Sequence, residues 1–329
     1  MSNGKNKWEN PICNNCKSKK YSILWKNVRN WEFPEKFRIV KCFSCGLVFL
    51  SPRPRRLFIS NYYAKESYWG TDLGDTNSHL PIDWKKQREE GYRNIYKKIF
   101  QEKSHGSILD IGAGTGVFLS KFKEKDWQVS GIEYSKDAAT YSKRVFGLDI
   151  KSGDFLDYSI KRNTYDVIVL NNSLEHLYSP KETLEKAHFV LKNDGLLVIT
   201  VPNFNSIGAY LFGKHWFPLQ PPIHLFHFTY QSLSSMLRGV GFRVISSDHS
   251  FWIHNYYSLF QSFRFLFSPK YKKGSDKRRD VDSSNKNLRE KTITKEVGKI
   301  VFSILSYCIA VFEPFIKKGE VMIIYARKN

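Results

Sequence analysis

The chain has 329 residues, of which 41% are hydrophobic and 16% aromatic, enough for one large or two modest domains with a real core. Its formal net charge of +21 points to an anionic partner or surface, or to a solubility adaptation, and does not choose among them. The five cysteines exclude a disulfide-stapled scaffold, because four fall in two C-x-x-C pairs and the fifth, Cys308, lies in an apolar stretch.

The opening residues, Met1 to Lys5, are polar and carry no apolar signal core, so an intracellular, reducing compartment is expected. Up to Ser51 the chain lacks helical periodicity. It holds Cys13-Asn14-Asn15-Cys16 and Cys42-Phe43-Ser44-Cys45-Gly46. Two such pairs about 25 residues apart have zinc-ribbon spacing. Cys13, Cys16, Cys42 and Cys45 would close a tetrahedral shell around a structural Zn²⁺ and leave no position open for catalysis. Buried thiols or a redox pair are the alternatives. Residues 52–105 form a bridging region with Pro52, Pro54, the basic Arg53, Arg55 and Arg56, and an aromatic cluster of Tyr62, Tyr63, Tyr68 and Trp69. Trp84 to Phe100 has a helical pattern.

From Ser107 onward short apolar strands alternate with helices. The strands are 107–111, 128–132, 166–170, 196–201 and 241–246. The helices are 116–125, 137–145, 180–191 and one from Thr229 to Leu237, with Asn193-Asp194-Gly195 as the stop after the third. Such alternation predicts a parallel sheet covered on both faces.

The first strand ends in Asp110-Ile111-Gly112-Ala113-Gly114-Thr115-Gly116. Glycines let the backbone approach a ligand, and the next helix points its N-terminus there. A dinucleotide fingerprint would need a glycine at Val117, and no Gly-Lys-Ser/Thr follows for a P-loop. Glu133, about 20 residues on, ends the second strand, where a ribose-binding acid is expected.

Asp110 with Gly112, Gly114 and Gly116 resembles motif I of class I S-adenosylmethionine (SAM)-dependent methyltransferases. The resemblance runs on through Ser152-Gly153-Asp154-Phe155, Tyr165 to Asn172, Leu174-Glu175-His176-Leu177 and Leu191 to Leu197, and covers about 106–247. The Leu-Glu-His element is similar to that of ubiquinone-pathway O-methyltransferases. The resemblance implies an α/β, Rossmann-like, doubly wound seven-stranded sheet with an antiparallel last strand. It implies SAM as cofactor, with Asp110 acting indirectly, Glu133 on the ribose, Asp154 on the adenine amine and Phe155 against the ring. Tyr134 and Asn171 complete the candidate lining. Loop capping, an ordinary strand-end charge and a core aromatic are the respective alternatives for Asp110, Glu133 and Phe155. A zinc ribbon ahead of such a core also resembles bacterial methyltransferases of sugar and surface-polysaccharide synthesis.

Methyl transfer to a hydroxyl needs a positioned nucleophile and a base. His224, in Pro221-Pro222-Ile223-His224-Leu225-Phe226-His227, is the first candidate base. His176 is the second, or a substrate ligand. Both are expected at the carboxyl edge of the sheet. Glu175 could serve a metal, or be a helix-start carboxylate.

The tail differs again. Residues 251–267 are crowded with aromatics, 268–287 are polar and basic, and 300–312 are apolar but too short to cross a bilayer. They fit a lid, a core-packed helix or contact with an anionic membrane. The expected organisation is a zinc-ribbon-like module at 1–51, a linker with N-terminal helices that cover substrate or cofactor at 52–105, and a SAM-binding methyltransferase domain at 106–329 with an insertion at about 250–318. The expected acceptor is a small molecule or glycan, such as a nucleotide- or lipid-linked sugar methylated on oxygen or carbon. RNA methylation through the basic surface is the alternative, although Asn171-Asn172-Ser173-Leu174 lacks the Pro-Pro-aromatic element that grips a base amine. A non-enzymatic relic is the third reading.

Overall fold

The computed structural model describes residues 7–30, 33–63, 84–250, 252–267 and 285–329; Tyr68, Trp69 and 268–284 lie outside them. The N-terminal part contributes β1 (Trp8–Glu9), β2 (Tyr21–Arg29), β3 (Lys36–Cys42), β4 (Val48–Leu50), β5 (Arg53–Pro54) and α1 (Arg56–Tyr63). It is followed by α2 (Trp84–Glu102), β6 (Ser107–Ile111), α3 (Val117–Lys123), β7 (Gln128–Glu133), α4 (Lys136–Phe146), β8 (Lys151–Ser152), β9 (Tyr165–Asn171) and α5 (Pro180–Val190). Then come β10 (Leu191–Pro202), α6 (Ile207–Phe212), β11 (Phe226–His227), α7 (Tyr230–Gly239), β12 (Phe242–Asp248), α8 (Trp252–Phe267), α9 (Asn285–Phe312) and β13 (Val321–Lys328).

Seven strands form one sheet in the order β12-β13-β10-β9-β6-β7-β8. Strand β13 runs antiparallel to both neighbours, as the fold resemblance implied. The central strands are sealed on both sides: all five residues of β6 are buried. One face packs against α2, α3 and α4 through Ile95, Ile99, Phe118 and Phe122. The order reverses between β6 and β9, and it is at such a switch point that ligands bind beyond the carboxyl ends.

Local chemistry sets the helix ends. The Ser135 hydroxyl accepts from the Ala138 amide at 3.3 Å to start α4, and Gly147 at φ 62° closes it. Thr229 and Ser232 make a reciprocal capping box at the start of α7. The stop expected at Asn193-Asp194-Gly195 falls inside β10 instead. There the pairing with β9 shifts register between Leu191 and Leu196, because the chain leaves α5 directly into the ladder.

The N-terminal strands do not form a separate bead. Val28, Ile39, Val40 and Leu50 share one core with Leu109, Ile168 and Leu197 of the large sheet. Strand β11, from the far side of the sequence, pairs antiparallel with β4 to complete a four-stranded sheet, Phe226 facing Phe49 and His227 facing Val48. The polar tail expected up to Asn287 ends earlier than supposed, since α9 already begins at Asn285.

Candidate functional site

The glycine turn is built against the end of β7. The amides of Gly112 and Ala113 donate to the Ile132 carbonyl at 2.8 and 3.1 Å, and the Gly114 amide donates to Glu133 Oε2 at 2.9 Å. Gly112, Gly114 and Gly116 have φ of 83°, 54° and 80°, a region that side-chain-bearing residues adopt only with strain. A Cβ on Gly112 would stand 2.5 Å from the Ser173 Cβ, and one on Gly116 would stand 2.2 Å from the Ser142 Oγ. At Gly112 and Gly116 the packed neighbours thus leave no room for a side chain.

Glu133 is 7% exposed, and its other oxygen accepts from the Ser135 amide at 2.8 Å. Burial pushes its carboxyl up, against the lowering effect of those backbone donors. Each carboxylate oxygen has a second lone pair, so two acceptor positions remain for ribose hydroxyls. Asp110 is sealed under the turn. Burial and then the Glu133 charge push it up to about 8, and its Oδ1 has no partner. Asn171 Oδ1, at the end of β9, is also buried without a partner. Tyr134 is exposed beside Glu133. These orphaned acceptors fit a polar ligand at the carboxyl edge.

Asp154 accepts from the Leu156 amide at 2.8 Å and pairs with Arg56 of α1. The Phe155 ring is 3% exposed and belongs to the core, with Lys186 Nζ 4.8 Å from its centroid. It therefore backs the wall of the site, and its position agrees with the core-aromatic alternative.

The histidines come together as the sequence suggested. The His176 and His224 rings meet edge to face with centroids 4.6 Å apart. His224 is 7% exposed, and its Nδ1 lies 2.7 Å from the Pro218 carbonyl. That contact requires a proton on Nδ1 and leaves the Nε2 lone pair as acceptor. His176 Nδ1 lies 3.2 Å from the Ile223 carbonyl and 3.1 Å from the Tyr63 hydroxyl. Burial lowers His176 to about 4 and His227 to about 3. Burial, then the His176 and His227 charges, hold His224 well below its usual range. Burial thus favours the neutral form of all three.

Glu175 is not a solvated helix-start charge. It is 1% exposed, its Oε2 is unpartnered, and burial raises it to about 8. Ligand atoms of Glu175, His176 and His224 lie within 4.8 Å of one another, so this trio could hold a divalent cation.

Contacts tie this cluster to the glycine turn. Ser173 Oγ donates to the Ile111 carbonyl at 2.6 Å, placing the 173–176 turn directly on the cradle. The Leu225 amide donates to the Glu175 carbonyl at 2.8 Å, and the Leu50 amide donates to the Leu225 carbonyl at 2.9 Å. The loop carrying His224 is therefore held between the core and the N-terminal sheet. A small cluster of Phe33, Ile59, Tyr62 and Ile223 backs it. Sequence reasoning assigned no site role to Arg56 and Tyr63. Both sit on α1, within the 52–105 segment expected to cover substrate or cofactor.

In the N-terminal sheet the four cysteine sulfurs cluster, with Cys13 3.4 Å from Cys45 and Cys16 3.5 Å from Cys42. Zn–S bonds of about 2.3 Å would place tetrahedral sulfurs about 3.8 Å apart, close to this arrangement. Each pair is followed by a left-handed residue, Lys17 at φ 58° and Gly46 at φ 72°. The Lys17 amide donates to Cys13 O at 2.9 Å and the Gly46 amide to Cys42 O at 3.1 Å. The first knuckle docks on α5, where the Lys181 amide donates to Asn14 Oδ1 at 2.9 Å.

Comparison with known proteins agrees with this geometry. The family described as "Methyltransferase domain" matches residues 84–247. An uncharacterized methyltransferase of Anoxybacillus flavithermus is 31% identical over 124 residues, covering 37% of this chain and 58% of its own length. One of Staphylococcus carnosus is 26% identical over 168 residues, covering 46% and 80%. The glycine/sarcosine/dimethylglycine N-methyltransferase of Actinopolyspora halophila is 26% identical over 137 residues, covering 38% and 24%. The chain thus spans less than two thirds of the first of these relatives. Among solved structures, a SAM-dependent methyltransferase of Mesorhizobium loti is similar at 12% identity and TM-score 0.46, covering 74% of this chain and 100% of its own. Residues 84–247 are similar to the methyltransferase-domain family, and the seven-stranded sheet with its glycine cradle has the Rossmann-like arrangement of SAM-dependent methyltransferases.

Proposed function

We propose that the protein methylates an oxygen or carbon of a small-molecule or glycan acceptor, with a nucleotide- or lipid-linked sugar as the expected class. The observation that carries this reading is the packing of the His176–His224 pair onto the glycine cradle through Ser173. SAM, when bound, supplies an electrophilic methyl on a sulfonium. The residues present fit it: a glycine-rich turn, a carboxylate with spare lone pairs and orphaned acceptors at Asp110 and Asn171.

The chain's own work is then positional and acid–base. Gly112, Gly114 and Gly116 let the backbone approach the donor, Glu133 holds its ribose, and Tyr134, Asp154 and Asn171 border it. His224, neutral with Nε2 as acceptor, takes the acceptor's proton as it is lost in the transition state. Burial favours its neutral, proton-accepting form. His176, held by Tyr63 and the Ile223 carbonyl, orients the acceptor or stands in as base. Zn²⁺ at Cys13, Cys16, Cys42 and Cys45 is structural and fixes the sheet to which β11 adds.

Calorimetry of SAM and S-adenosylhomocysteine binding, with wild type and Glu133→Ala, tests the donor half. Tritiated-methyl transfer to a panel of nucleotide-linked sugars tests the acceptor. Absence of SAM binding by zinc-loaded wild type would refute the reading. Transfer to RNA, and not to sugars, would move the protein to the RNA class.

A further inference from the structure

Between β12 and β13 the chain makes a helical excursion that the methyl-transfer chemistry does not use. The inner face of α9 packs on α8: Phe302 stacks on Phe263 at 5.2 Å, and the Ser303 and Tyr256 hydroxyls meet at 2.9 Å. Ala310 and Ser306 are buried there. The outer face is different. Nine of the nineteen exposed large apolar side chains among the described residues fall within 300–316. Ile300, Ile304, Tyr307, Val311 and Phe312 are among them, and Phe315, just beyond α9, is 81% exposed. At about 100° per residue these exposed positions sweep roughly half the helix circumference. Within 300–316 every exposed position is apolar or is Cys308, and none is charged. A contiguous apolar face of this kind on a soluble surface marks an interaction site.

We propose that this face docks on an anionic lipid bilayer, with α9 lying in the plane of the headgroups. Charge decides between a membrane and a second copy of the chain. The protein carries +21, so self-association brings like charges together, whereas an anionic surface attracts them. Two lysines adjoin the face. Lys317 is exposed and Lys318 half-buried at its carboxyl end. The sequence between α8 and α9 carries Lys270, Lys272, Lys273, Lys277, Arg278 and Arg279 against Asp276, Asp280 and Asp282. No helix among the described residues is long and apolar enough to cross a membrane, so the contact is peripheral. The surface stands independently of the identity of the acceptor.

Flotation of the full chain tests it, using phosphatidylcholine vesicles with and without phosphatidylglycerol at about a quarter of the lipid. Wild type should float with the anionic vesicles, and at least about tenfold less with neutral ones or when salt shortens the Debye length to about 3 Å. Ile304→Glu and Phe312→Glu should each remain at the bottom while binding S-adenosylhomocysteine as wild type does, which shows that they are folded. Lys317→Glu/Lys318→Glu gives a second variant set that leaves the apolar face intact and should weaken flotation several-fold. Wild type that stays at the bottom, or variants that float equally, would overturn the proposal. So would a concentration-dependent dimer broken by Phe312→Glu, which would assign the face to a second copy.

Discussion

The two halves of the candidate site are built in opposite ways. The donor half is local: Asp110 to Gly116, Glu133 and Asp154 lie within 45 residues and follow one strand–turn–helix rhythm. The acceptor half is assembled from α1, the 173–176 turn and the 218–227 loop, and it is clamped by a sheet whose strands come from residues 21–50 and 226–227. A local half depends on backbone geometry, which each residue carries with it. An assembled half depends on long-range packing, so damage far from the chemistry should reach it.

The largest expected effect tests that dependence. Removing zinc with a chelator, or substituting Cys42→Ser, should lower Tm by on the order of 10 °C, because a structural zinc site contributes several kcal/mol to folding. Methyl transfer should be lost, while S-adenosylhomocysteine affinity, measured by calorimetry below the new Tm, changes by less than about threefold. Equal loss of both would mean that the halves are not separable.

Next, His224→Asn should reduce the transfer rate by roughly 10²- to 10⁴-fold, the usual contribution of a general base. Donor affinity should be unchanged, which single-turnover assays and calorimetry separate. Conversely, Glu133→Ala should weaken donor binding by about 10- to 100-fold through loss of charge-assisted hydrogen bonds. It should leave the stoichiometry of zinc bound by the four cysteines unaffected.

The smallest effect lies outside both halves. Glu313 and Glu320 are fully buried near α6 and β13; Glu320 accepts from Trp216 Nε1 at 2.5 Å and from the Gly208 amide at 2.8 Å. Burial, and for Glu313 the neighbouring Glu320 charge, hold both carboxyls above their ordinary range. The unfolded chain releases these protons in the ordinary glutamate range, about 4.3, while the folded chain still holds them. Stability from this pair is therefore greatest at acid pH and declines as pH rises through neutrality. Glu313→Gln should flatten the decline, raising stability by on the order of 1 kcal/mol at pH 8 relative to pH 5. Denaturant melts at the two pH values would show it, with no change in transfer or donor binding.

Much of the donor half was legible in the sequence. The positive φ at Gly112, Gly114 and Gly116 follows from a glycine turn after a buried strand, and the carboxylate at Glu133 from its distance along the chain. Phe155 was less so, because an aromatic beside a ligand and one sealed in the core have the same pattern. The histidines were legible as candidates on the sheet edge, yet not their 4.6 Å contact, nor the protonation pattern that Pro218 imposes. Tyr63 and Arg56 were opaque, since nothing in their own segment tells which strand ends α1 will lie over. Glu175 read as a metal ligand or a helix-start carboxylate, and only packing showed it to be buried with its Oε2 unpartnered.

The sequence by itself determined the alternation of strands and helices, the backbone cradle and the pairing of thiols, because each rests on periodicity or on residues a few positions apart. Tertiary structure alone decided that β11 joins the N-terminal sheet, that the two imidazoles meet, and that one side of α9 remains uncovered. Those outcomes depend on which surfaces exclude water together, and local pattern does not encode a surface's partner.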